Sequence, residues 1–340
     1  MNQMYYYEVK SRWDALAKPI DGLGEFEELV CKMGAIQEDI KVPMDPAVLL
    51  VFCADNGIIE EGVSQSDDFV TYAVAKALGE GNSTANQMAK RENIDVIPVN
   101  VGIKREVDFP GIQNRLIKNG TNNFLKQPAM TEIEMIEAIE AGRATVAQMA
   151  EQGYKVILLG EMGIGNTTTS AAVLAALMGV PAKECCGRGA GLDDAGLARK
   201  IQVIDEAIAM YDLDHASPEE VLRTVGGLDI AAIAGAIMEA SKRKIPVISD
   251  GLITGVAALL VRRMGVEAWE DVIFSHNGKE TGIAAILEEF GTKAVIGGNM
   301  ALGEGTGAII FYSALKTAKA LYDGAHVFAD IAVDPYERKV

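Results

Sequence analysis

The sequence predicts an α/β fold built on a doubly wound parallel sheet, with a small helical domain formed by both chain ends. Three observations carry this expectation. Short apolar runs recur along the chain, stretches with apolar residues at helical spacing separate them, and the runs end in polar, glycine-bearing segments. Strands alternating with helices imply βαβ units and a parallel sheet. A strand covered on both faces reads as an unbroken apolar run rather than an alternating one.

Residues 1–45 read as helices with a break at Lys18-Pro19. Ala47–Cys53 is the first expected strand and leads into Asp55-Asn56-Gly57. A helix over Thr71–Lys90 and a strand over Asp95–Val101 follow. Next come a helix over Thr131–Glu151, a strand over Lys155–Leu159, the glycine-rich Gly160–Asn166 and a helix over Thr167–Met178. Asp194–Met210 and Ile230–Ser241 carry the helical period, Pro246–Ser249 reads as a strand ending at Asp250-Gly251, and Ala294–Ile296 reads as the last strand. Ala308–Leu321 closes the pattern as a helix. Residues 1–45 and 308–340 are therefore expected to form the small helical domain, and 46–307 the α/β domain. Ligands on such sheets bind beyond the carboxyl ends of the strands.

Composition narrows the function. Of 340 residues, 49% are hydrophobic and 23% charged, so a core can form and global disorder is excluded. The net charge of −17 argues against nonspecific nucleic-acid binding, which needs cations over phosphates. A small anionic substrate remains compatible, because a local nest of amides binds phosphate even in an acidic protein. The four cysteines, Cys31, Cys53, Cys185 and Cys186, form no CxxC pair and read as buried reduced thiols of a cytoplasmic protein. The opening MNQMYYYEVKSRWD has no apolar leader, and no uncharged apolar run reaches about 18 residues, so neither a signal peptide nor a membrane helix is expected. The three histidines are scattered, which does not suggest a His-based metal site.

Three segments could carry chemistry. In Leu159–Ser170 a strand runs into glycines and then a helix capped by Asn166 or Thr167; free amides and the positive end of a helix dipole attract phosphate there. The P-loop spacing and its lysine are absent, and a tight turn with an ordinary cap would read the same. Glu161 beside such a nest raises electrostatic energy unless it binds hydroxyls, such as a ribose, or a cation. In Gly187–Asp194, alternate glycines let a ligand approach the backbone, Arg188 is a bidentate donor, and Asp193 or Asp194 caps the helix that carries Lys200. Lys200 taken alone reads first as a solvated lysine. In Ala301–Ala308, Glu304 stands between glycines, either as a general base raised by an apolar pocket or as an acid at a helix start. Asp55, Asp229 and Asp250 could join Glu161 and Glu304 around one acidic cleft, although no spacing demands a metal. His276 reads first as a structural histidine.

Taken together, these segments resemble the nicotinate-nucleotide:dimethylbenzimidazole phosphoribosyltransferase family, from about Leu16 to Leu321. The resemblance rests on Lys18-Pro19 with Gly22-Leu23-Gly24, Ala54-Asp55-x-Gly57 with Glu61-Gly62-Val63, Gly120-Thr121-Asn122, Pro128-Ala129-Met130, Gly160–Thr168, Gly187-x-Gly189 with Lys200, Val225-Gly226-Gly227-x-x-Ile230, Asp250-Gly251 and Leu302–Ala308. It implies a Rossmann-like catalytic domain beside the small helical domain. It implies transfer of phosphoribose from nicotinate mononucleotide to an aromatic base, giving an α-riboside 5′-phosphate and nicotinate for cobamide synthesis, with no metal or other cofactor. It places Glu304 on the general base, and Glu161 and Lys200 near ribose and phosphate. Gly163, Asn166, Thr167, Gly187 and Gly189 fall on loops that cradle the nucleotide, and Ser66, Met162 and Leu302 beside the aromatic base. It further implies a homodimer, or a heterodimer with a paralogue in the branch that uses phenol or p-cresol, where one subunit is mainly a structural partner. The chain departs from the usual family pattern at Asp21 and Gly22, Asn56, Asp67, Gly278-Lys279 and Ala301. Lys279 could restore a positive charge lost at Ala301.

Overall fold

A computed structural model describes residues 1–189 and 191–338. Its sheet is built from β1 (Ala47–Ala54), β2 (Ile94–Gly102), β3 (Gln113–Asn114), β4 (Val156–Met162), β5 (Val247–Ser249) and β6 (Val272–Phe274). Every pairing is parallel, and the order across the sheet is β3-β2-β1-β4-β5-β6. The helices in chain order are α1 (Gln3–Ala15), α2 (Glu25–Gln37), α3 (Asp68–Gly79), α4 (Thr84–Glu92), α5 (Glu132–Glu151), α6 (Asn166–Met178) and α7 (Ala182–Cys185). They continue with α8 (Asp194–Tyr211), α9 (Pro218–Val225), α10 (Leu228–Lys242), α11 (Leu252–Arg263), α12 (Gly282–Glu289) and α13 (Thr306–Gly324).

All eight residues of β1 are buried, and they alternate between two apolar clusters. Val48, Leu50 and Phe52 face a cluster that also holds residues of α5, α6, α10 and α11. Ala47, Leu49, Val51 and Cys53 face the other, with residues of α1, α2, α3, α4 and α13. Side chains of a strand point alternately to opposite faces. Two covered faces therefore require a strand that is apolar at every position, which is why the run is unbroken. The helices from both chain ends share the second cluster with the sheet: Trp13 of α1 lies 5.0 Å from Tyr322 of α13, ring centre to ring centre.

The order reverses between β1 and β4. After β1 the chain enters α3 and α4 on one face; after β4 it enters α6 on the other. The two departing connections diverge and open a crevice at the carboxyl ends of β1 and β4, where ligands of doubly wound sheets bind.

Several sequence expectations are corrected. Thr71–Lys90 is two helices, because Gly79, Gly81 at φ 75° and the Ser83 capping box with Asn86 end one and start the next. Ala294–Ile296 is not a strand; Ile296 makes one isolated parallel bridge to His276, and the sheet edge is Val272–Phe274 instead. Leu252–Arg263 is a further helix, buried from Leu252 to Val261, that is not among the expected elements.

The helices α5 and α10 meet through glycines. A Cβ on Gly142 would stand 1.8 Å from the Ala232 carbonyl oxygen, and one on Gly235 would stand 1.9 Å from that of Ile139. Neither helix axis can yield without disturbing the sheet face below. Gly142→Val is expected to lower stability by about 3 kcal/mol, the upper part of the usual overpacking range, as measured by urea denaturation; a loss below about 1 kcal/mol would show that the crossing is compliant.

Candidate active site

β4 runs to Met162, three residues further than the sequence pattern suggested. Glu161 is thus a strand residue beside Phe52 of β1 rather than part of the turn. The turn Gly163–Gly165 lies against the end of β1: a Cβ on Gly163 would stand 2.1 Å from the Ala54 carbonyl oxygen. Asn56, at the end of β1, donates from Nδ2 to the Ile164 carbonyl at 3.3 Å. Gly165, at φ 92°, is the N-cap of α6, and no side chain caps that helix. The expected cap by Asn166 or Thr167 is therefore corrected. Asn166 instead turns its amide onto carboxyls, donating to Glu161 Oε2 and, at 3.3 Å, to Asp229 Oδ2.

The opposite wall is the turn before α13. Gly303, Glu304 and Gly305 all have positive φ, at 85°, 57° and 80°. A glutamate in the left-handed region is strained by about 1 kcal/mol or more, and strain of this kind gathers at functional sites. The flanking glycines carry the geometry without that cost. Glu304 Oε2 receives the Ala85 N–H at 3.4 Å, at the start of α4. Burial pushes its carboxyl above the ordinary range, against the pull of the Ala85 amide and the Ser83 hydroxyl.

Lys200 is fully buried on α8, so the solvated reading of this lysine is overturned. Its Nζ donates to Thr167 Oγ1 at 3.0 Å and to the Gly187 carbonyl at 3.2 Å. It therefore sits behind the first turn of α6 and ties the Gly187–Gly189 loop to it. Desolvation lowers its pKa, and the nearby Cys186 and Glu280 oppose that shift. Asp193 caps α8 by accepting the Gly196 N–H at 2.8 Å.

The floor is Asp250 and His276. Asp250 Oδ1 accepts the Ala308 N–H at 2.9 Å and so anchors the start of α13. Ser275 Oγ donates to the Asp250 carbonyl at 2.8 Å and lies 2.9 Å from His276 Nδ1, which must then be the donor of that pair. His276 Nε2 is left as an acceptor. Burial raises Asp250 and lowers His276.

These walls line a cleft that is partly open to solvent and holds about 200 Å³ of water-accessible space. Of the residues singled out in the sequence, Glu161, Met162, Gly163, Asn166, Thr167, Gly189, Leu302 and Glu304 line it. Lys200 lies just behind through its bond to Thr167, and Gly187 is held there by its carbonyl's bond to Lys200. Ser66 does not reach the lining; its N–H donates to Ser64 Oγ at 3.2 Å on the segment entering α3, beside a smaller neighbouring cavity lined by Ser64 and Gln65. Thr254, Ile283 and Met300 line the cleft without a signal in the sequence, and His276, which reads first as a structural histidine, lines it too. Lys279 donates its N–H to the Met300 carbonyl at 2.9 Å, so it stands beside Ala301 at the exposed rim.

The cleft is strongly acidic inside. Desolvation, the Asp229 charge and, more weakly, Asp250 and Glu304 push the Glu161 carboxyl up to about 8, against the Asn166 amide. Desolvation raises Asp229 to about 6, against the Ile230 amide and Asn166.

A family model described as phosphoribosyltransferase matches residues 1–333. A protein of Acetivibrio thermocellus named nicotinate-nucleotide–dimethylbenzimidazole phosphoribosyltransferase is 36% identical over 332 residues, 98% of this chain and 95% of that protein. One of the same name from Pseudomonas putida strain W619 is 34% identical, over 96% of this chain and 93% of its own. The crystal structure of CobT from Thermus thermophilus superposes with a TM-score of 0.92 at 33% identity, covering 98% of this chain and all of that one.

The raised carboxyls link pH to stability. Glu161 and Asp229 hold protons more tightly folded than unfolded, where 4.5 and 3.8 are the ordinary values. The stability they contribute is fully present below those values and is lost as pH rises through about 6 and about 8. Glu161→Gln removes one of these ionisations, so its melting temperature relative to wild type is expected to rise between about pH 5 and about pH 9. Thermal melts at both pH values test this, and a difference that stays constant contradicts it.

Proposed function

The chain belongs to the phosphoribosyltransferase family of these relatives, and we propose that it moves phosphoribose from nicotinate mononucleotide to an aromatic base of the dimethylbenzimidazole type. The products are an α-riboside 5′-phosphate and nicotinate, and the process is cobamide lower-ligand synthesis. The observation that carries this reading is Glu304: a half-buried carboxyl, held in a left-handed turn between two glycines, at the mouth of a cleft whose rim and wall include Leu302 and Met162.

In this reaction the C1′–N bond to the pyridinium ring breaks, and the bonding pair neutralises the ring as nicotinate leaves. A ring nitrogen of the acceptor forms the new bond to C1′, and the proton on its other nitrogen passes to Glu304. The acidic cleft supports the reading, because positive charge lies on the substrate's pyridinium ring and develops on the ribose as the bond breaks. A Glu161 carboxyl that is mostly protonated at neutral pH donates to one ribose oxygen and accepts from another hydroxyl. The amides at the start of α6, with Lys200 behind Thr167, suit the 5′-phosphate. Much of the rate then comes from holding acceptor and C1′ in line.

Glu304→Gln is expected to lower kcat by about 10²–10⁴-fold while nucleotide affinity changes little, as measured by turnover and equilibrium binding; unchanged turnover removes the base role. Lys200→Ala is expected to weaken nicotinate mononucleotide binding by about tenfold or more, with acceptor affinity unaffected. The purified chain alone, offered dimethylbenzimidazole, adenine, phenol and p-cresol in parallel, tests the acceptor by mass spectrometry of the products. A benzimidazole riboside phosphate supports the reading, a phenolic glycoside alone replaces the acceptor class, and no product from any of them refutes it for the isolated chain.

A further inference from the structure

Two carboxyls meet one amide behind the cleft. Asn166 Nδ2 donates to Glu161 Oε2 on β4 and, at 3.3 Å, to Asp229 Oδ2 in the first turn of α10. Glu161 keeps 8% of its surface and lines the cleft, whereas Asp229 is fully buried and does not line it. The other Asp229 oxygen accepts the Ile230 N–H at 3.0 Å. Gly227 packs against that oxygen: a Cβ there would stand 2.3 Å from it and 2.9 Å from Asn56 Oδ1, a buried atom with no partner. Among the described residues, no lysine, arginine or histidine forms an ion pair with either carboxyl.

We infer that Asp229 is a positioning residue of this site, acting through Asn166 to fix the Glu161 carboxyl at the cleft wall and to keep a proton on it. An amide nitrogen has two hydrogens, one for each acid. Two ionised carboxylates bridged by a neutral amide, with no cation beside them, repel in a buried setting, and one proton between them removes the repulsion. Asp229 has the backbone donor as well as Asn166, so the negative charge settles there and the proton on Glu161. The values of about 6 and about 8 for the two groups follow the same order. The other charged groups facing Glu161 are Asp250 from the end of β5 and Glu304 from the turn before α13, and Asp55 faces Asp229 from the end of β1. All are acidic, so none supplies the missing positive charge. Cys53, a thiol pushed up by burial, stands neutral beside them.

The inference rests on the proposed function only for its effect on turnover, and its test has a readout that does not. Difference infrared titration follows the carboxyl stretch of the purified protein, with Glu161→Gln assigning the Glu161 band. In Asp229→Asn, which keeps the shape and removes the charge, the Glu161 midpoint is expected to fall by about one pH unit or more. Asp229→Ser is expected to give the same shift and serves where the first variant does not fold. A midpoint unchanged in a folded variant overturns the inference. With nicotinate mononucleotide, the alkaline limb of kcat/KM is expected to move down by the same amount. If the infrared midpoint moves and the limb does not, the Asp229–Glu161 coupling stands and the ribose role of Glu161 falls.

Discussion

The site depends on one close approach of backbone to backbone. A Cβ on Gly160 of β4 would stand 2.7 Å from the Gly305 nitrogen and 2.8 Å from the Glu304 carbonyl carbon, and a Cβ on Gly305 would stand 2.4 Å from Leu49 Cδ1. Any side chain at either position would lift the turn away from the strand. With both glycines present, the turn before α13 rests directly on β4, one residue from Glu161. The two acids named from the sequence, 143 residues apart in the chain, thus become opposite walls of one cleft. The left-handed turn then aims Glu304, and Asp250 fixes the following helix by holding the Ala308 amide.

The electrostatics follow from this packing. A net charge of −17 spread over a surface says little about a site, but here carboxyls are drawn into an enclosed wall where water screens them poorly. Protonation, not ion pairing, relieves the repulsion around Glu161. The buried lysine is kept apart, behind Thr167 and the Gly187 carbonyl. The cleft therefore has an acidic lining at Glu161, Asp250 and Glu304, while Lys200 stands behind the first turn of α6 and does not line it.

Much of this was legible in the sequence because it depends on local chemistry. The unbroken apolar run of β1 announces a strand covered on both faces, and the glycines around Glu304 announce a turn with positive φ. What was not legible depends on partners distant in the chain. β6 is three residues long, too short to show a period, and Ala294–Ile296 looked equally like a strand until Val272–Phe274 took the edge. Asn166 reads as a helix cap from its neighbours; Glu161 on β4 and Asp229 on α10 take its amide instead. Lys200 reads as solvated on its own helix and is buried only because α6 and the Gly187 loop close over it.

The departures from the family pattern fall unevenly on this architecture. Glu161, Lys200, Glu304 and the glycines that seat them are all present, and these are the positions where a change would disturb packing as well as chemistry. Ala301 and Lys279 are exposed at the rim, on two segments joined by the Lys279 N–H to the Met300 carbonyl and by the bridge between His276 and Ile296. A side chain added or lost there changes the charge at the mouth of the cleft without moving either wall. Asn56 is the exception, a buried departure, and it is the one whose unpartnered oxygen faces the Gly227 backbone beside Asp229. Residues at the exposed rim leave both walls in place, whereas Asn56 is packed against the same Gly227 backbone that abuts Asp229.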